Sequence, residues 1–201
     1  VLVVLSGYKT IARNGAWKND ETLFLTDVKT VPNSALVNNN AAAACMSQAK
    51  MNKDDKPVRD EWFRKAIGYF DKALTIYPQH MLSHLNRGLC YFNMGDPAAA
   101  LPDWDSVRKY EPTNPALAKY MAAEATYFYN KGVTYGKENK PDSAIYAYQK
   151  SVEVAPDRPE PWYYLGAACF AAGRFPEART ALEQALRMAP GYTDAQHLYA
   201  Q

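Results

Sequence analysis

WYYLGAACFAAGRFPEARTALEQALRMAP, from Trp162 to Pro190, decides the fold. Apolar or small residues recur at three and four in its first half (Trp162, Leu165, Gly166, Cys169) and in its second (Ala178, Leu182, Ala185). That spacing gives each half one buried stripe on a helix, with a tight turn at Gly173 between the halves and a proline closing the second. Two such short helices cannot bury both stripes alone. The segment therefore needs neighbours of its own kind.

Proline spacing supplies them. Pro156 precedes Pro190 by 34 residues, and Pro78 precedes Pro112 by the same 34. The letters of the first stretch resemble the tetratricopeptide repeat pattern W-x2-L-G-x2-Y, then A-x3-F, then P, with Cys169 in place of the tyrosine and Leu182 in place of the phenylalanine. With the closing proline at position 32 of each unit, Phe128, Gly132, Tyr135, Ala144 and Tyr148 fall on the same places upstream. So do Gly88, Tyr91, Gly95, Ala100 and Trp104 one unit earlier. The resemblance implies an all-α solenoid, a superhelix of antiparallel helix pairs, each stabilised mainly by its neighbours.

The expected organisation follows from that register. Residues 1–34 form a membrane-proximal helix plus a half or degenerate repeat, in which DETLFLTDVKTVP is a second helix with Asp20 as cap, Phe24 at the aromatic place and Gly15 at the turn before it. Residues 35–80 form a repeat whose twelve extra residues, in the polar run AKMNKDDKPVRDE, are expected as a surface loop between a first helix ending near Gln48 and a second starting near Val58. Residues 81–114 are a plain repeat. In 115–158 ten extra residues meet no breaker, so they extend the first helix backwards, with Asn114 as cap and Pro115 in the first turn. Residues 159–192 are a repeat again, and 193–201 begin a further or capping helix.

Charge and chemistry narrow the function. Lys plus Arg number 23 against 21 acidic residues, interspersed, which gives no electrostatic footprint for nucleic acid or an anionic membrane surface. His80 and His84 stand four apart, a spacing that can turn two rings to one metal, but no third ligand is spaced to join them, so no metal or cofactor is expected. Cys45, Cys90 and Cys169 fall on apolar stripes of first helices and read as small buried hydrophobes. No motif for nucleophilic, phosphate or zinc chemistry is found, and no catalytic residue is assigned.

Binding is expected on the concave face, where the repeat family lines a groove with first helices. Position 6 is Asn40, Asn86 and Asn130 in three successive repeats and Tyr164 in the fourth. This resembles the asparagine ladder with which peptide-binding members hold an extended ligand. A side-chain amide carries both donor and acceptor and pairs with a peptide bond whatever the ligand's side chains. The same letters also read as a common Asn-Lys/Arg-Gly way of writing the helix. Leu82, Leu85, Leu89, Phe92, Tyr129, Val133, Tyr163, Tyr164 and Phe170 are placed beside the ladder, with Lys137 as its cation. The set suits an uncharged or mixed peptide and lacks the basic clamp for a terminal carboxylate; alternatively the helix from 115 folds across these side chains.

The first forty residues carry a second resemblance. SGYKTIARNGAWKNDETLFLTDVKTVPNSALVNNNAA, through Thr10, Arg13, Asn14, Trp17, Leu23, Phe24, Pro32, Ser34 and Ala35, resembles the junction between the last membrane span and the repeats in transmembrane, tetratricopeptide-containing proteins of the O-mannosyltransferase-like type. It implies a polytopic glycosyltransferase-like parent, attached through spans preceding Val1, with the repeats on the non-cytoplasmic, for a bacterium periplasmic, side. The apolar start Val1 to Leu5 then reads as the tail of such a span, or otherwise as the buried face of a starting helix. The expected function is a non-catalytic scaffold for a protein or peptide partner. The alternatives are an oligomerisation module and a cytoplasmic adaptor whose gene lacks membrane spans.

Overall fold

The computed structural model describes residues 20–201. The apolar start, Gly15 and the junction residues Thr10, Arg13, Asn14 and Trp17 lie outside the described residues. The described part is all-α: ten helices and no strand. They are α1 Asp20–Thr30, α2 Ala35–Met51, α3 Lys56–Ile76, α4 Met81–Met94, α5 Pro97–Tyr110, α6 Pro115–Lys137, α7 Pro141–Val154, α8 Pro159–Ala171, α9 Phe175–Met188 and α10 Thr193–Tyr199. The chain divides into two compact units, with the boundary between Leu117 and Ala118.

Local chemistry sets the helix ends. The backbone N–H of Val37 donates to Ser34 Oγ (3.3 Å), that of Val58 to Asp55 Oδ1 (3.2 Å) and that of Ala99 to Asp96 Oδ1 (3.1 Å), so α2, α3 and α5 each start on an oxygen that accepts an orphan donor. Asn114 Oδ1 accepts from both Ala116 N (3.0 Å) and Leu117 N (3.1 Å), which caps α6. The extended first helix is thus present as one helix from Pro115. Three hairpin turns share one geometry. Gly95 (φ 87°), Asn139 (φ 56°) and Gly173 (φ 73°) are left-handed, and the next N–H reaches back five residues, Asp96 to Tyr91 O, Lys140 to Tyr135 O and Arg174 to Cys169 O.

The loop expected in the repeat from Ala35 is not there. The polar surplus lengthens both helices instead, and residues 52–55 are all that separates them. The capping carboxylate of Asp55 and Pro57 in the first turn start α3 early, inside KDDKPVRDE. Asp60, within that charged run, is 5 % exposed and bonded to Arg59 at 2.9 Å and to Lys56.

The N-terminal unit packs Ala42, Cys45, Met46 and Ala49 of α2 on Phe63, Ala66 and Phe70 of α3, with Cys90 of α4 joining them. The C-terminal unit packs Ala144, Ile145, Tyr148 and Val152 of α7 on Leu165 and Cys169 of α8 and Ala178 and Ala181 of α9. All three cysteines are buried, and none is in a disulfide. In each unit a glycine on the first helix makes room for a large residue on the second. A Cβ on Gly88 would lie 2.4 Å from Trp104 Nε1, and one on Gly132 would lie 2.6 Å from the Tyr148 ring. The missing side chain lets each ring come up against the backbone of the first helix.

Candidate functional site

In the N-terminal unit, α2 and α4 are adjacent first helices joined by a buried bond in which Ser83 Oγ donates to Asn39 Oδ1 (3.1 Å). Asn40 follows Asn39 by one residue and Asn86 follows Ser83 by three, so both lie next to this tie. Both are half-buried, and neither side-chain amide has a hydrogen-bond partner among the described residues. Their neighbours differ: Asn38 Nδ2 donates to the carbonyls of Pro32 (2.7 Å) and Ser34 (2.8 Å), and Asn93 Nδ2 to that of Leu89 (2.7 Å).

A charge network locks α4 in place. Arg87 donates through Nε and Nη2 to both oxygens of Asp103 (2.8 and 2.7 Å), and through Nη1 to Asp71 (2.6 Å). His84 Nδ1 lies 2.6 Å from Asp103 Oδ1, and Nε2 lies 2.9 Å from the Pro78 carbonyl. Acceptors at both ring nitrogens require both to donate, so the Asp103 contact, with the Pro78 carbonyl helping, raises the pKa of His84 above 6.5. His80 instead caps α4, its Nδ1 accepting from Ser83 N (3.3 Å), and burial followed by the charge of His84 lowers its pKa below 6.5. Both rings therefore serve the N-terminal end of α4, each with its own partners.

The sign of the pH dependence follows. Stability from His84 is fully present below 6.5 and lost as pH rises through its raised folded value. Stability from His80 is present above 6.5 and lost as pH falls through its lowered folded value. We expect an NMR titration of the imidazole protons to show His84 titrating above 6.5 and His80 below it. The reverse order would contradict the Asp103 contact.

The apolar candidates of this unit divide. Leu82 is 51 % exposed on α4, and Leu89 is half-buried against the core. Leu85 is not on the surface: it is 6 % exposed, and its backbone carbonyl accepts from Trp104 Nε1 of the hairpin partner (3.2 Å). Phe92 lies with its ring centroid 5.8 Å from that of Trp104.

In the C-terminal unit, Asn130 is exposed, with no side-chain partner among the described residues. Beside it runs a chain of tyrosines. Tyr129 lies 5.5 Å from Tyr164 edge-on, Tyr148 lies 5.8 Å from Tyr164 nearly parallel (23°), Tyr163 lies 5.1 Å from Tyr164, and Tyr192 lies 4.9 Å from Tyr163. Burial pushes the hydroxyls of Tyr148 and Tyr192 up to about 12, with neighbouring tyrosines adding to it. Val133 is half-buried against the core, and Lys137 is exposed at the end of α6. Phe170 is drawn elsewhere: it meets Phe175 edge-on at 5.4 Å and lines a cavity of about 630 Å³ with Leu182, Leu198 and Tyr199. Tyr148, buried at 4 % exposure, supports the chain from the core, as its repeat position reads; Tyr192 was missed because it sits in the turn before α10.

Two tetratricopeptide repeat families match the chain, one over residues 59–111 and one over 137–201, together more than half of it. The chain belongs to the tetratricopeptide repeat family. It is similar to Protein O-mannosyl-transferase TMTC3 of Mus musculus, 22 % identical over 193 residues that cover 94 % of this chain and 20 % of that protein. It is also similar to Protein O-mannosyl-transferase TMTC1 of Homo sapiens, 32 % identical over 88 residues, 44 % of this chain and 9 % of that one. The chain thus spans a fifth or less of the length of these curated relatives. A solved TPR repeats protein from Bacteroides fragilis NCTC 9343 aligns with a TM-score of 0.59 at 15 % identity over 89 % of this chain and 87 % of its own, a likeness of fold. The repeat fold supports a protein-interaction role and is in general a non-catalytic scaffold, whereas the curated relatives are named as transferases. Among the described residues no helix is long and apolar enough to cross a membrane.

Proposed function

We propose that this chain is a non-catalytic module that holds an extended segment of a partner protein or peptide against its first helices. The observation that carries the reading is the contrast on α2 and α4. Asn40 and Asn86 keep their amides uncommitted, while Asn38 and Asn39 are bonded within the fold. An amide with a donor and an acceptor to spare is suited to a peptide bond. Asn130 and the tyrosine chain offer the C-terminal unit a surface of the same kind. The likeness to the O-mannosyl-transferases supports a parent in which such a module, on the non-cytoplasmic side of a membrane, presents acceptor proteins to a transferase part.

Selection from a random peptide library on the immobilised chain tests this. Enriched extended peptides that cross-link to α2 and α4, or to α6 and α8, are the expected result; no enrichment over the bare support would overturn it. A second reading, self-association, is favoured by the cavity at Phe170 and by Phe175 at its rim, 59 % exposed. Light scattering over a concentration series separates the two, since only self-association makes the apparent mass rise.

A further inference from the structure

We propose that the tyrosine chain of the C-terminal unit, flanked by Glu160 and Asp194, recognises a cationic side chain, a lysine or arginine carried on the partner's extended segment. This rests on the interaction reading above and names the chemistry of one part of it. Helix geometry sets the arrangement: Glu160, Tyr163 and Tyr164 stand at i, i+3 and i+4 on α8 and so share one face. Asp194 lies in the first turn of α10, two residues past Tyr192, whose ring lies 4.9 Å from Tyr163. Tyr164 is 36 % exposed at the centre of the cluster, with Tyr129, Tyr148 and Tyr163 each within 5.8 Å of it.

The charges around the cluster are unbalanced in one direction. Four carboxylates of this unit are paired: Asp142 with Arg174 (2.7 Å), Glu138 with Lys140 (2.8 Å), Glu153 with Lys150 (2.6 Å), and Glu183 with Arg179 (3.1 Å) and the Tyr199 hydroxyl (2.8 Å). Glu160 and Asp194 are exposed and take no partner among the described residues. Asp157 and Glu177 are unpaired among them as well, but it is Glu160 and Asp194 whose charge acts on the tyrosine chain. The nearby cation, Arg158, donates through Nη1 to Thr126 Oγ1 on α6 (3.3 Å). The field of both carboxylates reaches the rings: after burial and the tyrosine neighbours, Glu160 and Asp194 hold the Tyr192 hydroxyl protonated. Ring faces are negative, so faces and carboxylates attract the same kind of ligand. A neutral apolar segment would use the rings and leave both carboxylates without a counter-charge.

An NMR titration with a soluble peptide of alternating arginine and serine, its citrulline counterpart and its glutamate counterpart tests this, read on the tyrosine ring signals. The arginine peptide is expected to bind about tenfold more tightly than the citrulline peptide, the sum of cation–π and carboxylate attraction at a partly exposed site. The glutamate peptide should bind less well than either. Glu160→Gln with Asp194→Asn should cut the arginine preference to the roughly two- to fivefold that the rings supply, Tyr164→Phe should retain it, and Tyr164→Leu should weaken it about two- to fivefold. Equal binding of arginine and citrulline peptides would overturn the cationic assignment and leave the interaction reading standing. Failure of all three peptides to shift the tyrosine signals would remove this surface from the interaction reading as well. Arginine binding unchanged in Tyr164→Leu would overturn the part given to the rings.

Discussion

Trp104→Ala lowers the stability of the N-terminal unit by about 3–5 kcal/mol, the range for removing a large buried aromatic ring. Trp104 is wholly buried, its ring lies where a Cβ on Gly88 would strike it, and its Nε1 donates to the Leu85 carbonyl (3.2 Å). Removing the ring leaves a void between α4 and α5 that neither helix can close, because Arg87 and His84 bind α4 to Asp103 on α5 at a fixed spacing. Repeats are stabilised by their neighbours, so the loss weakens the hold of α4 on α3 too. Urea unfolding followed by circular dichroism measures it. A loss under about 1 kcal/mol would show that the ring is not what sets this hairpin.

Replacing Asn40 and Asn86 together with alanine leaves helicity unchanged and weakens a library-selected peptide held on α2 and α4 by at least about 30-fold. Each amide can exchange one donor and one acceptor with a peptide bond, and each bond is worth a net of about 0.5–1.5 kcal/mol, so four bonds carry about 2–6 kcal/mol. Neither amide supports the fold through a hydrogen bond among the described residues, and alanine is the better helix former. Asn38→Ala and Asn39→Ala serve as the contrast, since each breaks a bond inside the protein and should cost stability. Fluorescence anisotropy with the labelled peptide gives the affinities. Unaltered binding in the double variant would remove these amides from the site.

The fold was legible because its signals are local and repeat. A proline at a 34-residue interval and a glycine or asparagine at the left-handed turn position recur in fixed register, and Gly95, Asn139 and Gly173 adopt that conformation. The run KDDKPVRDE misled because charge density resembles a loop, while its Asp55 cap and Pro57 describe a helix start. Leu85 misled for a finer reason: a spacing of three puts it on the same side of α4 as Leu82, and periodicity does not tell that Leu82 is open at 51 % exposure while Leu85, one turn further in, is buried at 6 %. The tyrosine chain could not be read from spacing, because α6, α7, α8 and the turn before α10 each supply part of it. Glu160 and Asp194 look like any solvated charges until they are seen beside the tyrosine chain, where their charge acts on the Tyr192 hydroxyl.

The most direct test of the central claim is an NMR map of the side-chain amide signals with a library-selected peptide added. The account predicts that the Nδ2 protons of Asn40 and Asn86, or of Asn130 for a peptide on the C-terminal unit, shift strongly, while those of Asn38 stay where its bonds to Pro32 and Ser34 hold them. Shifts confined to residues of the second helices α3, α5, α7 and α9, with the three asparagine amides unmoved, would contradict it.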